Sequence, residues 1–86
     1  MNYKVKITST EKYGMDRRKI GDIVFAHIDD DGKVLFFDLH DRKKKLPIFD
    51  VWFDNIEEAK MYGTCISKTD FDVKSAWKKM MSDRYW

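Results

Sequence analysis

A chain of 86 residues, 43% hydrophobic and 37% charged, has room for one core and no second domain. Its formal charge of +2 does not demand a polyanionic partner, and its lone cysteine, Cys65, excludes an intrachain disulfide. No apolar run approaches the ~20 residues that cross a bilayer, and the first ten residues lack the apolar stretch of a secretion signal, so a cytoplasmic setting is expected.

The chain opens on YKVKITS, in which Tyr3, Val5 and Ile7 alternate with Lys4, Lys6 and Thr8. That period of two predicts a half-buried strand. A polar connection follows, punctuated by Gly14 and Gly21. DIVFAHI is β-branched and aromatic and reads as a second strand. DDDGK then predicts a hairpin turn at Asp31-Gly32, because such turns need positive φ. VLFFDLH is the returning strand, so residues 22–28 and 34–40 are expected to pair antiparallel. Its four successive large apolar residues predict partial cover on both faces. If so paired, His27 and Asp38 could meet across the strands.

DRKKK is a further turn candidate, and LPIFDVWF a further strand, with Pro47 suited to an edge, a strand start or a bulge. Asp54 followed three residues later by Glu57 has the form of a capping box, and Gly63 suits a helix C-terminus, which predicts a short helix over about 55–62. TCIS reads as a brief extended piece. In the last segment Val73, Ala76, Trp77, Met80 and Met81 recur at helical spacing, with Asp70 or Asp72 as cap. The expected fold is α+β: a single domain over 1–86, mainly β to residue 53 and mainly helical from 54. It is a small twisted antiparallel sheet or small barrel followed by two helices.

Part of this pattern resembles a known family. YKVKITSTEKYG has a Tyr-x-Val strand and a Tyr-Gly in the first loop. KIGDIVFAHIDDDGKVLFFD has a Gly-Asp-Ile entry to the second strand, an Asp/Gly hairpin and an aromatic third strand. Over residues 3–53 the chain resembles the small SH3-like barrels often encoded by tailed bacteriophages. Its helical C-terminus departs from a bare barrel. The resemblance implies a binding module, often a phage accessory protein acting on a host component in the host cytoplasm. It implies no catalytic residues and no cofactor.

The residues themselves offer little chemistry. Asp29-Asp30-Asp31-Gly32 lacks the alternating carboxylates of a calcium loop and reads as a turn. His27, His40 and Cys65 lack the close ligand pairs of a zinc site. Asp50, Asp54, Glu57 and Glu58 could form an acid–base pair, but a helix start that attracts acids accounts for three of them. The expectation is therefore a non-enzymatic protein without metal or cofactor.

Two features point to partners. Arg42, Lys43, Lys44 and Lys45 are either a solvated turn or a contact for phosphates or an acidic protein. Arg17, Arg18 and Lys19 would join them if the two loops meet at one end of the sheet. Tyr85 and Trp86, at the end of the sequence, either pack back on the sheet or are offered to a partner. A host protein is the favoured partner, and modulation of that protein the favoured role. Nucleic acid bound through Arg17–Lys19 and Arg42–Lys45 is the alternative, and a homodimer is left open.

Overall fold

In the computed structural model, residues 1–84 are described. The elements are β1 (Asn2–Ile7), a 3₁₀ turn (Met15–Arg17), β2 (Ile23–Ile28), β3 (Val34–Asp38), β4 (Phe49–Phe53), α1 (Ile56–Lys60), β5 (Gly63–Lys68) and α2 (Val73–Arg84). The strands form one sheet in the order β4-β3-β2-β1-β5, and every pairing is antiparallel. The sheet is not closed, because β4 and β5 stand at opposite edges.

Alternation decides which face each strand buries. Val5 and Ile7 of β1, Val24 and Ala26 of β2, Val34 and Phe36 of β3, and Phe49, Val51 and Phe53 of β4 make one cluster with Met15 and Ala59. The opposite face of β3 buries Leu35 and Phe37 against Val73 of α2. The unbroken VLFF run is thus covered on both sides, as its composition predicts.

The expected hairpin forms, with Phe25 opposite Phe37 and Ile28 opposite Val34. Asp29 N–H donates to the Lys33 carbonyl at 2.9 Å, and Gly32, at φ 85°, carries the left-handed residue that closes the turn. This register places His27 opposite Leu35, not Asp38. The His27 ring is instead hydrogen-bonded to Asn2 at 2.8 Å and to Asp29 at 3.0 Å.

Two boundaries differ from the sequence reading. The cap of α1 is Asn55, whose Oδ1 accepts from Glu58 N–H at 2.8 Å, while the Glu58 carboxylate accepts from Asp54 N–H. The reciprocal cap is therefore shifted by one residue from Asp54/Glu57. More consequentially, the helical second part is interrupted by β5. The segment expected to be a brief extended piece is a six-residue strand paired with β1 along its length. Its register slips between Lys4 and Val5, which leaves Ile66 as the extra residue of a bulge.

Helix α2 lies on the second face. Asp72 caps it, accepting from Ser75 N–H at 3.1 Å and from the Ser75 hydroxyl at 2.8 Å. Val73 is fully buried; Trp77 meets Trp52 edge-on with ring centroids 5.4 Å apart. Phe71, just before the helix, stacks on Phe25 at 4.4 Å. At the helix start Lys74 Nζ donates to Asp29 Oδ1 at 2.6 Å, tying the helix to the β2–β3 turn.

That contact has a pH signature. The Lys74 hydrogen bond, helped by the charges of Lys74 and His27, holds the Asp29 carboxyl below its ordinary 3.8, against the opposing effect of burial. A lowered carboxylate contributes stability above its unfolded pKa and loses it as pH falls through the folded value. The melting-temperature gap between the wild type and Asp29→Asn is therefore expected to be present at pH 5 and to shrink as pH falls below the ordinary carboxylate pKa. A gap that stays constant to pH 2 would mean that the pair adds nothing.

Candidate interaction surface

The basic end is built by two loops. In the second, Asp41 and Leu46 exchange backbone hydrogen bonds at 3.0 and 2.9 Å, so residues 42–45 form a tight tip. The Asp41 carboxylate accepts from the N–H groups of Lys43 and Lys44, and Lys45 takes φ 55° to finish the turn. With its backbone so held, the tip projects Arg42, Lys43, Lys44 and Lys45 into solvent, and all four are exposed.

The dense LPIFDVWF run beside this tip is core and not a stacking platform. Phe49 and Phe53 are buried, and Trp52 lies against Trp77. This follows from strand alternation: Phe49, Val51 and Phe53 point into one cluster, and Asp50 and Trp52 face α2.

The first loop carries the 3₁₀ turn and Arg17, Arg18 and Lys19. The two loops do meet, and they flank an open cleft of about 1020 Å³ that extends from Asp16 to Ile23 on one side and from Asp38 to Leu46 on the other. Arg17 and Lys19 are exposed on its wall. Arg18 is different from the expectation of a surface contact: its side chain is 1% exposed. Its guanidinium donates to Asp38 at 3.1 Å, to the Arg17 carbonyl at 2.9 Å, to the Pro47 carbonyl at 2.8 Å and, at 3.5 Å, to the Leu39 carbonyl. It also lies 5.5 Å over the Phe49 ring. A buried cation needs such a set of acceptors. Arg18 is thus a strut that joins the two loops, and it offers nothing to a partner directly. Tyr85 and Trp86 lie outside the described residues.

The acids that line the cleft are largely occupied. Asp38 pairs with Arg18, Asp22 accepts from Lys19 N–H at 2.9 Å, and Asp41 holds the tip. Among the described residues, Lys19, Arg42, Lys43 and Lys44 make no ion pair. The opposite end of the hairpin carries Asp29, Asp30 and Asp31, so the molecule is polarised along β2 and β3.

Sequence reasoning did not single out the apolar part of this surface. Ile23 and Leu39 line the cleft at 56% and 38% exposure, and Ile20, flanked by two lining residues, is 67% exposed. Ile23 and Leu39 continue the apolar pattern of their strands, so only their lack of cover distinguishes them from core.

Of the acids weighed for acid–base chemistry, Asp50 and Glu58 are separately employed. Asp50 accepts from Trp77 Nε1 at 3.1 Å, and Glu58 accepts from Lys12 Nζ at 2.8 Å, which binds the long first loop to α1. His40 lies on the cleft wall, His27 in the Asn2–Asp29 contact and Cys65 on β5.

Comparison with family models, curated proteins and solved structures finds no match for this chain. Fold and surface define a small α+β domain: an open five-stranded antiparallel sheet with a helix on its second face and a basic, partly aliphatic cleft at one end. Among the described residues no helix is long and apolar enough to cross a membrane.

Proposed function

We propose that this chain is a non-enzymatic binding domain that docks an acidic segment of a partner protein at its basic end. The observation that carries the reading is the mixed chemistry of the cleft. Lys19 and Arg42–Lys44, which make no ion pair among the described residues, stand beside exposed aliphatic side chains at Ile20, Ile23 and Leu39. Apolar anchors within a charged rim suit a protein partner. Nucleic acid is the second reading, favoured by the lysine density of the tip. It is weakened because the neighbouring rings at Phe49, Trp52 and Phe53 are not presented for stacking.

The finer fold reading, an SH3-like barrel, is supported by five antiparallel strands that pack one apolar cluster between the sheet, the 3₁₀ turn and α1. An accessory role in a phage or mobile element, modulating a host protein, rests on the resemblance of residues 3–53 alone.

The test is affinity capture with and without nuclease, comparing the wild type with a variant carrying Arg42→Ser, Lys43→Ser, Lys44→Ser and Lys45→Asn. Asparagine at 45 preserves the left-handed turn. A nuclease-resistant protein partner, lost in the variant and released by salt, is the expected result. Tight DNA or RNA binding with a steep salt slope, lost in the same variant, would establish the second reading instead.

A further inference from the structure

We propose that the outer edge of β5, together with the apolar pocket beside it, is a strand-addition site for an extended, acid-flanked segment of a partner protein. This surface is separate from the basic end and does not depend on it. The two edges of the sheet are not equivalent. At the entry to β4, Arg17 of the 3₁₀ loop donates to the Ile48 carbonyl at 3.3 Å, and Pro47 has no N–H to offer. Among the described residues strand β5 pairs with β1 alone, and Thr64 through Lys68 are all exposed. An unpaired row of backbone donors and acceptors is a template for another strand.

Beside that edge the first apolar cluster is indented by a pocket. A pocket of about 220 Å³ is lined by Tyr3, Ile28, Phe36, Ile56, Gly63 and Cys65, among other apolar side chains. Gly63 brings β5 close to the pocket floor: a Cβ there would lie 2.5 Å from Val5 and 2.9 Å from Phe36. Small-molecule pockets run to ~300–1,000 Å³, so this one suits a single aliphatic or aromatic side chain. In strand addition the backbone supplies pairing and such a pocket supplies selectivity.

Charge selects the occupant. Lys60 on the pocket wall and Lys68 on β5 are exposed, Lys4 and Lys6 are exposed on the other face of the neighbouring β1, and Glu57 and Asp70 are exposed carboxylates near in sequence. Two copies paired edge to edge would bring these lysines together. An acid-flanked segment meets no such repulsion, and it pairs with the β5 edge on either side of the bulge at Ile66.

Cys65 is the only cysteine, exposed and on the pocket wall, so its reactivity reports on the site. The probe is a synthetic peptide of about nine residues, alternating Leu or Val with Thr and flanked by Glu. It is compared with the same peptide carrying alternate N-methyl amides and with a Lys-flanked version. At saturation the Glu-flanked peptide is expected to slow thiol modification of Cys65 about tenfold or more and to shift the Gly63 and Cys65 amide resonances. The other two peptides should do neither. Lys60→Glu combined with Lys68→Glu should reverse the preference toward the Lys-flanked peptide. Equal protection by the N-methylated peptide, or none by any peptide, overturns the proposal. Protection that disappears in the Arg42–Lys45 variant would assign the peptide to the basic end. Protection that grows with the protein's own concentration would assign the edge to a second copy.

Discussion

Arg18→Ala is expected to lower stability by about 3 kcal/mol, at the lower end of the cost of breaking a buried charge pair. Arg18 is sequestered, whereas its partner Asp38 keeps 29% of its side chain exposed and can regain water when the pair is lost. The carbonyls of Arg17, Leu39 and Pro47 lose their donor, and the ring of Phe49 loses its cover. For a domain of this length the loss corresponds to a fall in melting temperature on the order of 15 °C. Arg18→Lys keeps the charge but not the planar fork that reaches several acceptors, so it should recover only part of the loss. Thermal unfolding followed by circular dichroism makes the comparison. A melt within about 3 °C of the wild type would mean that the two loops are not joined through this side chain. The same variant should loosen the cleft, and so weaken partner binding at temperatures where it remains folded.

Trp77→Ala is the second large effect. The indole N–H donates to Asp50 at 3.1 Å, and its ring meets Trp52 edge-on. Truncation of a buried Trp costs ~3–5 kcal/mol, and Trp77 is half-buried, so about 3 kcal/mol is expected. A domain this small has only ~5 kcal/mol or so in hand, and α2 is the main cover of Leu35 and Phe37. The variant should therefore be close to unfolding at 37 °C. Trp77→Phe keeps a ring against Trp52 and loses the hydrogen bond, which should cost about 1 kcal/mol. Denaturant unfolding of the three proteins separates these contributions. If Trp77→Ala unfolds like the wild type yet loses its partner, the helix stripe is an interface and not a core face.

The two changes probe parts of the protein that differ in how they can be read from the chain. The stripe of α2 repeats every three to four residues, and Val73, Ala76, Trp77 and Met80 do face the sheet. The hairpin between β2 and β3 and the two-sided burial of β3 are equally legible. In each case the pattern of apolar residues is the direct imprint of the surface the element buries. The basic tip was also legible as a turn, since Asp41 and the following charges have nothing to bury.

Strand β5 left no such imprint. Apart from Gly63 its residues are exposed, and what holds it is backbone pairing to β1, which any sequence free of proline can supply. The fate of Arg18 was hidden for another reason. It sits between two residues that stay in solvent, and its burial depends on Asp38, Leu39 and Pro47, which are 20, 21 and 29 positions away. The exposed aliphatic rim at Ile23 and Leu39 was hidden by the converse effect, because strand pattern cannot tell an apolar residue that is covered from one that lies past the end of its cover. The sequence by itself determined which segments pair locally and which faces are apolar, because local periodicity records burial. Only the tertiary structure decided which edge stays open, which cation is a strut and which loops share a cleft, because those depend on contacts between segments far apart in the chain.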